Sequence, residues 1–504
     1  MSVPPAHEFD AVVVGSGPNG LAAAVTLARA GLSVQVLESE ETLGGGARTL
    51  DLGLAPGILH DICSAGHPLA LASPFFTKFD VRARGVELVA PEASYAQPLD
   101  AEPAAIAWRD AERTADGLGA DAAAWRATLG ALSRDQDLVV ELSLGDKRSI
   151  PQALVTPRTL AAAPLFGALL GLQGTPAWSL PFRTERARAL LTGVGAHAIG
   201  RLPSLALSAT SALLGTIAHG VGWPIPVGGS QSIMDALVSD LRAHGGQLTT
   251  GHRVRTWRDV PPARAVLLDT TAGAAADILA NRLPRPLEAA LRRFRHGDAA
   301  AKVDFVLSGP VPWRDPDVAL AGTQHLGGTR HQMAAAEAEV AAGRVPEHPV
   351  TLVSDPSLVD PSRIHGGLRP LWTYAHVPAG STIDPTELVT RQIERFAPGF
   401  RDVIVTSRGI PASEMAHHNP SLVGGDISMG RVTMWDMIAR PTARWDPYRL
   451  ADTGWYLCSA ATPPGPGVHG MNGWHAARRV LRQEFGIREM PDLSPDPRDP
   501  CVSG

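Results

Sequence analysis

The apolar positions near the start of the chain fall into two short blocks with a stretch of small residues between them. Residues 9–14, FDAVVV, are a nearly unbroken run of apolar and β-branched side chains, the pattern of a strand buried on both faces in a parallel sheet. Residues 33–38, SVQVLE, form a second block, which ends in an acid. Between them LAAAVTLARAG has helical spacing and stops at Gly31. Strand, helix and strand in this order predict a βαβ unit. The turn that opens its helix carries Gly15, Ser16, Gly17 and Gly20. Gly15 allows the tight turn, Gly17 allows backbone to approach a pyrophosphate, and Gly20 allows the helix to pack closely on the strand. The acid, Glu38, stands where a carboxylate can bind both hydroxyls of an adenosine ribose and would repel a 2′-phosphate. A dinucleotide site is the reading, with NAD and FAD both open at this point.

The same glycine spacing recurs late, as GPGVHG at 465–470. WYLC (455–458) reads as a short strand, SAATPPGPGVHG as a loop, and MNGWHAARRVLRQEFG as an amphipathic helix. The 34 residues after Gly470 contain no second strand ending in an acid, so this loop cannot open a nucleotide site of its own. It is expected to be another wall of the first site, presenting a helix N-terminus to an anionic ligand.

Composition narrows the class. The chain has 504 residues, 44% hydrophobic and 19% charged, with 45 basic and 50 acidic side chains for a net charge of −5. That is an ordinary globular balance with material for several domains. No Lys/Arg run tracks a phosphate backbone, so no nucleic-acid partner is expected. Cys63, Cys458 and Cys501 are far apart, which argues against a disulfide framework or zinc site and for a reducing cytoplasm. The N-terminal residues lack a signal-peptide pattern, and no apolar run is long enough to span a membrane.

A glycine cluster, LGGGART, follows Glu38 and would let a second segment pass close to the pyrophosphate, with Arg48 within its reach. With this element the chain resembles the FAD-dependent amine oxidases and phytoene-desaturase-type oxidoreductases, and among them the branch of carotenoid-desaturase-like proteins. The matching residues are GSGPNGLAAAVTLARAGLSVQVLE, LGGGART, WPIPVGGSQSIMDALVSDLRAHGGQLTTGHRV, ARAVLLDTT, HHNPSLVGGDISMG and the late glycine loop, nearly the whole chain. The resemblance implies FAD as cofactor. Its contacts would be Gly15, Ser16, Gly17, Gly20, Glu38, Gly45, Gly46 and Arg48, the backbone of Val254 on the adenine side, and Ala460, Gly467 and Val468 beside the flavin. Two departures stand out. Gly46 replaces an arginine common in relatives, with Arg48 two residues on, and Thr462 stands before Pro463 where close relatives have histidine.

The expected fold is α/β, a Rossmann-like FAD-binding domain assembled from residues 1–75, 222–290 and 448–487. Residues 76–221 and 291–447 are expected to form an α+β substrate domain with an antiparallel sheet, and 488–504 an extended tail. Residues 151–221 are unusually apolar; such regions shape a hydrophobic tunnel in the carotenoid desaturases and touch the membrane surface, whereas the alternative is plain helical core. The tunnel reading implies a lipophilic small-molecule substrate and a cytoplasmic enzyme with peripheral membrane contact. His67 and His469 are the candidate acid/base groups, each with a structural alternative. Adjacent His417 and His418 lack further ligands and predict no metal. Cys63 and Cys458 read as small core residues, and Trp474 as a flavin contact or an anchor for the last helix. The reaction class is hydride transfer, C–C desaturation first, with an amine oxidase, a redox-neutral isomerase or saturase, and a non-catalytic FAD protein as alternatives.

Overall fold

The computed structural model describes residues 7–146, 156–450, 452 and 454–495. The first apolar block is the strand Phe9–Val14, its last four residues buried. It lies in the middle of a five-stranded, all-parallel sheet in the order Trp455–Leu457, Ala263–Leu268, Phe9–Val14, Val34–Leu37, Gln247–Thr249. A parallel neighbour requires a long crossover, which is why these strands come from three well-separated parts of the chain. Val14 stands opposite both Leu37 and Leu268. The three central strands therefore end level, and the residues just beyond them, Gly15, Glu38 and Asp269, converge on one edge. That carboxyl edge is where open α/β sheets bind ligands.

The expected helix is Pro18–Arg29, with proline in its first turn, where the missing N–H costs nothing. Ten of its residues are buried, most of them alanine or other small side chains. Small residues let it lie directly on the last helix, Met471–Glu484. At the contact a Cβ on Gly473 would stand 1.8 Å from the Asn19 carbonyl oxygen, so only glycine fits there.

A second sheet has seven strands, ordered Ile404–Ile410, Ala299–Leu307, Arg369–Val377, Thr351–Ser354, Ala321–Leu326, Ala93–Gln97, Ala105–Trp108. The α/β class with an added α+β part is as expected. The second sheet departs in one respect: Ala321–Leu326 pairs in parallel with Ala93–Gln97, so it is mixed rather than wholly antiparallel. Helices Pro157–Gln173, Glu185–Gly195 and Leu205–Ala218, from the unusually apolar stretch, pack on one another. Residues 151–155 of that stretch lie outside the described residues, as do Cys501 and 496–504.

The beginning of the expected tail, 488–495, has no helix or strand but lies against the body. Leu493 is buried, and the carbonyls of Asp492, Leu493 and Ser494 accept hydrogen bonds from Arg29 and Arg84. Both arginines also pair with the buried Asp240. No helix among the described residues is long and apolar enough to cross a membrane.

Candidate cofactor and substrate site

A groove of about 340 Å³ runs along the carboxyl edge of the parallel sheet. Its floor is the first glycine loop, and Gly15, Ser16, Gly17, Glu38, Gly45, Gly46, Arg48 and Val254 all line it. The two glycine clusters touch: Gly45, at φ +57°, would put a Cβ 2.8 Å from the Gly17 Cα. Gly15, at φ +102°, would put one 2.8 Å from the Asp269 carbonyl oxygen. Any side chain at these positions would fill the cradle. Gly20 is not on the wall; its Cβ would meet the Gly15 carbonyl oxygen at 2.2 Å, which is the helix-to-strand contact expected of it.

Glu38 is buried, and protein donors already occupy its carboxylate. Oε2 accepts from the Ser16 N–H at 2.8 Å and the Ser16 hydroxyl at 2.6 Å, and Oε1 from the Glu40 N–H at 3.0 Å and the Ser39 hydroxyl at 3.1 Å. A carboxylate offers about four acceptor positions. A ribose hydroxyl therefore reaches Glu38 by replacing one of these donors, and half-buried Ser39 holds the longest of the four bonds.

Arg48 lines the groove, and protein acceptors hold its guanidinium in place. Its guanidinium donates to the Gly45 carbonyl at 2.9 Å, to the Thr42 hydroxyl at 2.9 Å and to the His418 carbonyl. It clamps the second glycine loop to the segment that carries Asn419. The N-terminal end of Pro18–Arg29, where Gly17 and Asn19 line the groove, adds to its anion-binding capacity.

One acid in the groove escaped the sequence reading. Asp269 follows the strand Ala263–Leu268, and its Oδ2 accepts the Gly20 N–H at 2.9 Å. Burial, with the charge of Glu38 adding to it, pushes its carboxyl up to about 7. With its charged form disfavoured by burial, Asp269 repels an anion in the groove less than an ordinary carboxylate would. The groove fits a dinucleotide on these grounds, and the buried Asn19 Oδ1, without a protein partner, adds a polar atom on its wall.

A second cavity, of about 520 Å³, adjoins the groove. Pro18, Asn19, Gly46, Asn419 and Met429 belong to both walls. Ala460, Gly467 and Val468 of the late loop line this second cavity, so the late loop is a wall beside the first site. Arg440, fully buried, holds that wall together by donating to the Ala460 carbonyl at 2.6 Å and to the carbonyls of Ser428 and Met429. The rest of the lining is mostly apolar, including Leu142, Phe166, Leu170, Leu213, Trp223, Trp372 and Val432. Among the described lining residues none is Asp, Glu, Lys or Arg.

The two candidate histidines part company here. His67 lines the cavity, but its ring is only 1% exposed and Nε2 lies 2.7 Å from the Ser230 hydroxyl. Burial holds it down at about 4, hence neutral. His469 is not on the wall. Its Nδ1 accepts the Met471 N–H at 3.0 Å and so caps the last helix, a contact of the kind its structural alternative implies. Cys63 packs against the small core cluster of Ile410, Met415 and Leu422 and also borders the cavity, while Cys458 is fully buried. Trp474 packs on the main core and lines neither cavity, so it anchors its helix. No group of three or more metal-ligating side chains occurs among the described residues. Arg440 and His197, which lines the second cavity, were missed because each reaches the site from a segment with no motif of its own, whereas Asn419 and Asp269 stand inside the matching stretches HHNPSLVGGDISMG and ARAVLLDTT, which do not single them out.

Comparison with known proteins places this architecture. A family model described as an NAD(P)-binding Rossmann-like domain matches residues 13–73. An uncharacterised protein of Mycobacterium tuberculosis is 26% identical over 96% of this chain and 99% of its own length. The rat pyridine nucleotide-disulfide oxidoreductase domain-containing protein 2 is 24% identical over 94% of each. Putrescine oxidase solved with putrescine bound superposes with a TM-score of 0.57 at 16% identity, covering 95% of this chain and 99% of that one. That likeness extends across both sheets and establishes the fold.

Proposed function

We infer that this chain, by fold an oxidoreductase of the amine-oxidase superfamily, holds FAD along the groove and oxidises an apolar, uncharged small molecule in the adjoining cavity, most simply by C–C desaturation. The observation that carries this reading is the continuity of the two spaces: a glycine cradle for a pyrophosphate leads, past Asn19 and Gly46, into a cavity with no charged side chain among its described lining residues. When bound, FAD supplies a two-electron acceptor for a hydride. The protein's part is separate. The glycine loops bring backbone N–H groups to the diphosphate, and Arg48 and Arg440 hold the loops that face the reacting region. The apolar wall aligns the substrate and excludes water.

An amine oxidase acting on a dication is less well supported. Burying an ammonium group without an opposite charge is costly, and the described lining provides none. Trp372 and Tyr374, ring centroids 5.2 Å apart on one strand of the wall, leave room for an uncharged or aromatic amine as the second reading.

The proposed location is cytoplasmic with peripheral contact to membrane. The short helix Met434–Ile438 supports it. Met434, Met437 and Ile438 line the cavity, while Trp435 is 66% and Ile438 58% exposed. An exposed tryptophan beside an apolar opening suits a lipid interface, where its ring sits at headgroup level.

The test is direct. Purified protein should show oxidised-flavin absorption and release FAD on denaturation. Anaerobic mixing with an acyclic polyene should bleach it faster than mixing with putrescine. Protein that neither contains nor takes up FAD would overturn the assignment, and bleaching by putrescine alone would overturn the substrate class.

A further inference from the structure

We propose that the substrate carries one uncharged hydroxyl group on its apolar skeleton, and that His197, backed by His325, is the residue that receives it. This rests on reading the second cavity as the substrate site.

His197 follows the helix Glu185–Gly195 and stands on the cavity wall. His325, on the strand Ala321–Leu326, is fully buried behind it. Their Nε2 atoms are 2.9 Å apart and their rings perpendicular, with Trp223 packed edge-on against His197 at 5.0 Å. Such a contact requires one ring to donate and the other to accept. Burial favours the neutral form of both rings, holding His197 down at about 3 and His325 well below its usual range. The neighbouring imidazole of His376, whose Nδ1 lies 2.5 Å from Glu337, works in the same direction.

Two neutral rings sharing one proton have two arrangements. If His197 donates through Nε2, its Nδ1 is an acceptor; if it accepts through Nε2, its Nδ1 is a donor. Among the described residues that Nδ1 has no hydrogen-bond partner, the ring's one such contact being through Nε2. Nδ1 of His67 and of His325 are sealed without a partner, whereas that of His197 is not sealed, and the residue that carries it lines the cavity. A ligand hydroxyl both donates and accepts, and it satisfies either arrangement. A carbonyl satisfies only one. An ammonium or a carboxylate meets no opposite charge among the described lining residues and is excluded by the cost of burying it.

The probes are 1-octanol, octane, octylamine and octanoate, titrated into the purified holoprotein at neutral pH. Binding is read from tryptophan fluorescence, since Trp223 and Trp372 lie on the wall. Octanol should bind about tenfold more tightly than octane, with both charged probes weaker than octane. His197→Phe should bring octanol to the affinity of octane and leave octane unchanged. Octane binding as tightly as octanol in the unsubstituted protein would overturn the proposal, and so would an octanol preference that survives His197→Phe. The probe series needs no variant, so a misfolded substitution leaves it readable. Bound FAD is assayed separately: FAD-replete protein without the preference overturns this inference alone, whereas protein that binds no FAD but prefers octanol overturns only the assigned cofactor chemistry.

Discussion

Gly45 lies against Gly17 so closely that a Cβ on the first would stand 2.8 Å from the Cα of the second. Two segments far from each other in pattern, the turn after the first strand and the cluster after the second, thus form one surface without side chains. A ligand phosphate can approach that surface on backbone N–H groups alone.

Gly45→Ala should therefore act on cofactor retention more than on the rest of the fold. The new methyl must push the loops apart, and at φ +57° it also adds backbone strain of about 1 kcal/mol. We expect the variant to purify with less than a tenth of the FAD of the parent, with far-UV circular dichroism unchanged. Full FAD occupancy would show that the loops do not carry the diphosphate.

The carboxyl of Asp269 gives the apoprotein a distinctive pH dependence. Its folded value, raised to about 7, lies above the ordinary 3.8. The native state therefore binds more protons than the unfolded state between these values, and stability falls as pH rises through that window. Asp269→Asn keeps an acceptor for the Gly20 N–H and removes the titration. Relative to the parent, it should gain on the order of 2–4 kcal/mol between pH 5 and pH 8, read by denaturant melts of FAD-free protein. Parallel pH profiles for the two proteins would refute this.

Asp61 and Arg363 form a buried pair beside the cavity. Both guanidinium Nη atoms lie 3.1 Å from Asp61 Oδ2, while Thr49 and the Ser230 N–H donate to Oδ1. The Arg363 charge and these donors hold Asp61 below its ordinary value against the opposing effect of burial, the largest single influence. Arg363→Ala leaves the carboxylate buried and unpaired, so a loss of about 3–5 kcal/mol is expected in urea unfolding. A depressed folded value also means that the stability Asp61 supplies is present above pH 3.8 and lost as pH falls below it.

Trp435 and Ile438 are the positions at which membrane contact should be separable from folding. The double substitution Trp435→Ser, Ile438→Ser should lower co-sedimentation with phosphatidylcholine vesicles several-fold. It should leave Tm within about a degree, since both side chains are largely exposed. Unchanged co-sedimentation would remove the basis for a peripheral location.

The sequence by itself determined the parallel-sheet domain and one side of its site. FDAVVV, the three glycines, the alanine-rich helix and Glu38 are local: each follows from neighbours a few residues away, and strand, turn and helix formed where their periodicity placed them. The late loop proved to be a wall of the same site, since Ala460, Gly467 and Val468 line the cavity beside the glycine groove. What tertiary structure alone decided is how groups without a motif meet. Asp269 reaches the glycine loop because three parallel strands end level. Arg48 donates to the His418 carbonyl and so ties the second glycine loop to a segment far along the chain. His469 turns to cap a helix, while His197 and His325, beyond a helix end and on a strand far along the chain, meet behind the cavity wall. Periodicity encodes which face of an element is buried. It does not encode which other element covers that face, and here the chemistry lies at those contacts.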